Sequence, residues 1–119
     1  MKKGEHLFIG VIAFLVYTYF LSLIVRIPSD GSIFGLFSCL IGSVIPDFLE
    51  PPTNWMHRGI GHSKRALKFV TIIFAITTIC GLIVFLISTF SIFYLISCFL
   101  LGYAIHLLAD ATTEVGLPD

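Results

Sequence analysis

Long runs of apolar residues alternate with short polar segments along this chain. The first run covers residues 7–25 and the second covers residues 33–49, and a turn that contains Arg26 and Pro28 separates them. Each run is long enough for a helix that crosses the ~30 Å hydrocarbon core of a bilayer. A polar segment at residues 50–68 then follows, which we interpret as a loop outside the membrane.

The third apolar stretch, residues 69–109, contains no Asp, Glu, Lys or Arg. A single helix of this length would measure roughly 60 Å, about twice the hydrocarbon core, so the stretch must fold back on itself. The polar residues around position 90 predict the turn, with spans at residues 69–87 and 92–109 on either side. The pattern predicts an all-α integral membrane protein with four transmembrane helices in a bundle, one membrane domain over residues 1–119.

Composition supports a membrane protein. The chain is 57% hydrophobic and 12% charged, whereas soluble domains carry about 25% charged residues. The zero net charge gives no sign of nucleic-acid binding.

The first run exceeds a signal-peptide core of about 7–15 residues, so we expect a retained span. Cys39, Cys80 and Cys98 lie in apolar runs, where small buried hydrophobes are expected and a metal or redox role is the alternative.

Basic residues predict the orientation. One side of the membrane would carry the N-terminus, the central loop and the C-terminus, and the other side would carry Arg26 as its one basic residue. The first group comprises Lys2, Lys3, Arg58, Lys64, Arg65 and Lys68. By the positive-inside rule, both termini and the central loop are expected in the cytoplasm.

This topology gathers every histidine and several carboxylates on the cytoplasmic face. The candidate site residues are His6, Asp47, Glu50, His57, His62, His106 and Asp110. The spacing of His106 and Asp110 places both on one helix face, ~6 Å apart along the axis. An ionisable residue at this depth is costly and usually faces a bundle interior. A simple hydrogen-bonded pair is the alternative interpretation.

Imidazole and carboxylate together suit Zn²⁺, Mn²⁺ or Fe, and carboxylates can bridge two ions. In the loop sequence HRGIGHS, the two glycines would allow His57 and His62 to turn towards the site; histidines at lipid headgroups are the alternative. Arg58 could bind a phosphate through its guanidinium group. Glu50 is either a ligand or a polar helix end. Lys64, Arg65 and Lys68 fit a membrane boundary in contact with anionic lipid.

Four motifs, GEHL, IPD, HRGIGHS and GYAIHLLADATTEVGLP, resemble those of the membrane-bound metal-dependent hydrolases of the LexA-regulated inner-membrane type. That family is distantly similar to zinc-dependent phospholipase C and related single-strand nucleases. Those helical enzymes bind zinc ions through His and Asp and hydrolyse phosphate esters. The resemblance covers nearly the whole chain.

The resemblance implies roles for the matching residues. Asp47 and Asp110 would be bridging carboxylates, and His62 and His106 would be terminal ligands. The remaining matches are His6 and His57. The family usually has an acidic residue where this chain has Leu49, so we expect one or two ions, most simply Zn²⁺, rather than three.

We therefore expect a membrane-embedded metal-dependent hydrolase that uses metal-activated water on a phosphate ester, with Arg58, Asp47 and Asp110 as catalytic residues. The position of the site at the depth of the lipid headgroups suggests a lipid substrate, either a phospholipid or an isoprenoid phosphate. The alternative is a non-catalytic membrane protein with a structural metal or polar cluster that acts as an interaction subunit. Ion transport is less favoured, because the outer half offers no polar path to His106.

Overall fold

The computed structural model describes residues 3–49, 64–88 and 92–111, and within them the chain forms four α-helices. The helices are α1 (Lys3–Ser22), α2 (Ser29–Leu49), α3 (Lys64–Phe85) and α4 (Ile92–Ala111). Each contains an apolar segment of at least 18 residues, long enough to cross a bilayer. The prediction of an all-α bundle of four membrane-spanning helices is confirmed.

The helix ends differ from the predicted spans around the first connection. The prediction extends the first span to Val25, but α1 ends at Ser22 and the next residues form a turn, with the Ile24 amide donating to the Leu21 carbonyl at 3.0 Å. The prediction also assigns Ser29 and Asp30 to a turn, whereas they begin α2. These two residue types favour helix starts, because their side chains accept hydrogen bonds from free amides. The negative charge of Asp30 also suits the positive end of the helix dipole.

Helix α4 is the centre of the bundle and packs against the other three helices, while α1 also packs against α2. One face of α4 is buried along its whole length, with a residue at every fourth position. These residues are Tyr94, Cys98, Gly102, His106 and Asp110. This face runs from the apolar interior to the end of the bundle that carries the predicted site.

The backbones of α2 and α4 are in direct contact at two glycines. A Cβ added at Gly42 would overlap the carbonyl oxygen of Phe99, and one added at Gly102 would overlap the carbonyl oxygen of Cys39. Small residues at membrane helix interfaces permit such close approach, which gains dispersion contacts without any hydrophobic driving force. The absence of side chains at these two positions therefore fixes how α2 and α4 meet.

Hydroxyl groups form hydrogen bonds with one another in the half of the bundle that lies away from the predicted site. The Tyr17 hydroxyl hydrogen-bonds to Thr78 Oγ1 at 2.9 Å and to Ser97 Oγ at 2.7 Å, which connects α1, α3 and α4. Such bonds average about 0.6 kcal/mol each in membrane proteins. The sequence predicts no polar path to His106 in this half. A polar cluster is present there, and the apolar stretch of α4 that contains Gly102 lies between Ser97 and His106.

We predict that Gly42→Ala lowers the free energy of unfolding by about 1–3 kcal/mol, because the added methyl forces α2 away from α4. The measurement is unfolding in mixed detergent micelles. The matched control is Gly31→Ala, also on α2, where the nearest atom to an added Cβ is Pro28 Cδ at 4.0 Å. Equal stability of both variants would show that the close contact does not exist.

Candidate metal centre

The structure brings together three of the predicted site residues. His6 lies near the start of α1, and His106 and Asp110 lie in the last two turns of α4. All three side chains are buried, with 1–2% of their surface exposed. Asp47 lies in the last turn of α2, but its side chain is outside the described part of the structure. The other candidates, Glu50, His57, Arg58 and His62, also lie outside the described residues.

Each oxygen of the Asp110 carboxylate faces the Nε2 atom of one of the two imidazole rings. His6 Nε2 is 3.5 Å from Asp110 Oδ1, and His106 Nε2 is 3.3 Å from Asp110 Oδ2. The rings are stacked, with centroids 3.7 Å apart and planes inclined by 18°. One ligand atom from each of the three residues can be chosen so that all lie within 4.8 Å of one another. We refer to these three residues as the triad.

Close packing of α1 on α2 brings His6 into the triad. A Cβ added at Gly10 would overlap the Ser43 side chain, so the missing side chain lets the two helices approach. Gly10 is four residues after His6 and therefore lies on the same face of α1. The same contact thus directs His6 into the interior, where it reaches Asp110 on α4.

A backbone carbonyl fixes the protonation of the His106 ring. His106 Nδ1 lies 2.6 Å from the Ser43 carbonyl oxygen. A carbonyl can only accept, so Nδ1 must carry the proton and donate. In the neutral ring Nε2 then has a lone pair, and this lone pair faces Asp110 Oδ2. Two electron-rich atoms in this position repel each other unless a proton or a metal ion lies between them.

Pro46 lies in the same turn of α2 as Ser43 and is fully buried. A proline inside a helix has no amide hydrogen to donate and crowds the carbonyl four residues earlier. In membrane helices, neighbouring groups satisfy the carbonyls that are affected in this way. The carbonyl four residues before Pro46 is that of Gly42. The His106 ring donates to the next carbonyl along the helix, that of Ser43. The role of Ser43 is not predicted from the sequence, although a serine close to a proline in an apolar helix is a usable signal.

The donor set fits a divalent transition metal ion. Two ligands bonded tetrahedrally to zinc at about 2.0–2.1 Å lie roughly 3.4 Å apart, close to the nitrogen–oxygen distances of 3.3 and 3.5 Å. Metal-bound histidines usually donate their other N–H to a carbonyl or carboxylate, as His106 does to Ser43. His6 Nδ1 is buried, and among the described residues it has no hydrogen-bond partner, which leaves it open to a group outside them.

We predict that ¹⁵N NMR of zinc-loaded protein shows His106 with a protonated Nδ1 and an unprotonated Nε2. The reason is that the Ser43 carbonyl holds the Nδ1 proton while Nε2 binds the ion. The His106→Gln variant identifies the signals. A ring protonated at both nitrogens in zinc-loaded protein would instead mean that a proton joins His106 to Asp110.

Comparison with known proteins identifies a family for nearly the whole chain. The family model described as YdjM inner membrane protein matches residues 1–118. No curated protein and no solved structure matches the chain.

Proposed function

Because this chain belongs to the YdjM inner membrane protein family and is a multi-pass membrane protein, we propose that its triad binds a divalent metal ion and hydrolyses phosphate esters of membrane lipids. The observation that carries this proposal is the lone pair of His106 Nε2 facing the Asp110 carboxylate at 3.3 Å, with the opposite ring nitrogen donating to Ser43. A cation is the partner that this arrangement of acceptors favours.

His6, His106 and Asp110 would hold the ion through two imidazole nitrogens and a carboxylate oxygen. Bound there, the ion would lower the pKa of a water molecule and polarise a phosphoryl oxygen. The chain's own contribution is orientation: the Ser43 carbonyl fixes the His106 ring, and burial keeps bulk water away from the carboxylate. Three protein ligands also leave a position for water or substrate, as catalytic zinc sites do.

The remaining predicted ligands would complete the site from α2 and the central loop. Asp47 is favoured by its place on the last turn of α2, one turn beyond Ser43, at the same end of the bundle as the triad. Glu50, His57 and His62 follow it in sequence. Arg58 would bind the phosphate of the substrate and balance its charge.

Basic residues support a lipid phosphate as the substrate and a cytoplasmic location for the site. Lys64, Arg65 and Lys68 occupy the first turns of α3 and are exposed. Because α3 and α4 pack together and are joined by a short connection, α3 begins at the end where α4 and the triad finish. Cations at headgroup depth attract anionic lipid and favour the cytoplasmic side. A phospholipid or an isoprenoid phosphate would present its phosphate at this depth.

The second candidate function is a structural one. The triad joins α1 to α4, and its three side chains are almost completely buried. A metal or proton that only held these helices together would also explain the burial. The protein would then act as a partner-binding subunit without turnover.

We predict that the purified wild-type protein contains about one or two equivalents of zinc or a similar metal and that His106→Ala binds it at least about tenfold more weakly. Mass spectrometry of metal content, with zinc and manganese supplied and no chelator, is the measurement. The control is Cys98→Ala, a buried residue on the same face of α4 and two turns from His106. This variant should retain the metal.

Hydrolysis of phosphatidic acid and of an isoprenoid diphosphate in mixed micelles then separates the two functions. The enzymatic proposal expects turnover that is lost after chelation and recovered with zinc. A protein that contains no metal under these conditions would exclude both metal functions. A protein whose thermal stability falls on metal removal, but which has no phosphate hydrolysis, would support the structural function.

A further inference from the structure

A cavity lined by charged and apolar residues lies at the end of the bundle opposite the triad. It has a volume of about 560 Å³ and is formed by the connection from α1 to α2, the start of α2 and the end of α3. The residues that line it include Arg26, Ser29, Asp30, Phe34, Phe85 and Ser88. None of these residues belongs to the predicted metal site.

Packing around the α1–α2 connection holds Arg26 in the wall of this cavity. Val25 is buried, with 7% of its surface exposed, and Ile27 packs against the hydrophobic core. The Val25 amide also donates to the Leu21 carbonyl at 3.0 Å. With both neighbours directed inward, Arg26 is exposed and contributes its side chain to the cavity. The fold therefore provides this wall before any ligand arrives.

The cavity presents one positive and one negative side chain. Arg26 and Asp30 both line it, and in the described part of the chain they form no ion pair with each other. The Gly31 amide donates to Asp30 Oδ1 at 2.9 Å. The second carboxylate oxygen, Oδ2, is then able to pair with a cationic group of a ligand. Two separated opposite charges in one cavity match a ligand that carries both a phosphate and an ammonium group.

The apolar residues of the cavity lie on its membrane side. Phe34 follows Asp30 by one helical turn into the membrane-spanning part of α2, and Phe85 is the last residue of α3. A molecule in this cavity thus meets charged groups and an aromatic ring at the ends of the predicted spans, with Phe34 one turn deeper than Asp30. This order of chemistry is that of a phospholipid in its natural orientation.

We propose that this cavity binds the headgroup of a zwitterionic phospholipid from the leaflet opposite the triad. The phosphate pairs with Arg26 and the ammonium pairs with Asp30. The parts of the acyl chains nearest the headgroup contact Phe34 and Phe85. A guanidinium group is well suited to phosphate because it offers several N–H donors in one plane. The proposal does not depend on the metal site, since the two sites lie at opposite ends of the bundle.

Native mass spectrometry of the detergent-purified protein tests this inference. The probes are phosphatidylethanolamine, which is zwitterionic, and phosphatidylglycerol, which is anionic, with identical acyl chains. Wild-type protein should bind phosphatidylethanolamine more tightly. Arg26→Gln should weaken binding of both lipids about fivefold, which corresponds to about 1 kcal/mol for one cation at a membrane surface.

Asp30→Asn should weaken only phosphatidylethanolamine binding, again about fivefold, and so remove the preference between the lipids. Asparagine also suits a helix start, so α2 should be retained. The control is Ser22→Ala, an exposed residue at the same end of the bundle that does not line the cavity, and it should leave this preference unchanged. Metal content measured on the same samples shows separately whether the triad is intact.

Two results would overturn the inference. One is that wild-type protein binds phosphatidylglycerol as tightly as phosphatidylethanolamine, and this measurement requires no variant. The other is a preference for phosphatidylethanolamine that persists unchanged in Asp30→Asn, or binding of both lipids that is unchanged in Arg26→Gln.

Discussion

The direct contact between the backbones of α2 and α4 is the constraint on which the candidate site depends. Gly42 and Gly102 have no side chains to separate the helices, so the Ser43 carbonyl lies within 2.6 Å of the His106 ring. That hydrogen bond decides which ring nitrogen faces Asp110. A second close contact, at Gly10, brings α1 to α2 and His6 into the same group. Two close helix contacts thus produce a site built from three helices.

The membrane environment explains why a cation would stabilise this arrangement. A charged side chain that is buried without compensation costs several kcal/mol, and Asp110 is buried at the end of a span. Two imidazole rings face this carboxylate, and the Nδ1 proton of His106 is directed at Ser43 and not at Asp110. A proton or a metal ion between the carboxylate and the rings would compensate the Asp110 charge.

The number of helices, and the shared helix face of His106 and Asp110, follow from the sequence. Lipid requires long uninterrupted apolar segments, so the runs of hydrophobic residues were enough to predict four spans. The four-residue spacing of His106 and Asp110 was enough to place both on one face. His6 was assigned to the same end from topology alone, and the structure brings it to 3.5 Å from Asp110.

The contacts between helices could not be predicted in the same way. The helices are apolar on most sides, because lipid as well as protein surrounds them, so the pattern hardly indicates which residues face inward. The carbonyl of Ser43, the stacked histidine rings and the bonds of Tyr17 all depend on how the helices are rotated. Glu50, His57, Arg58, His62 and the side chain of Asp47 lie outside the described residues, and their roles stay predictions.

X-ray absorption spectroscopy at the zinc edge of zinc-loaded protein is the most direct test of the central claim, because it identifies the atoms bound to the metal. The account predicts scattering from at least two imidazole rings and from oxygen at about 2.0–2.1 Å, with the imidazole contribution reduced in His106→Ala. Sulfur ligands, or a spectrum that is the same in wild type and His106→Ala, would contradict a metal centre built on His6, His106 and Asp110.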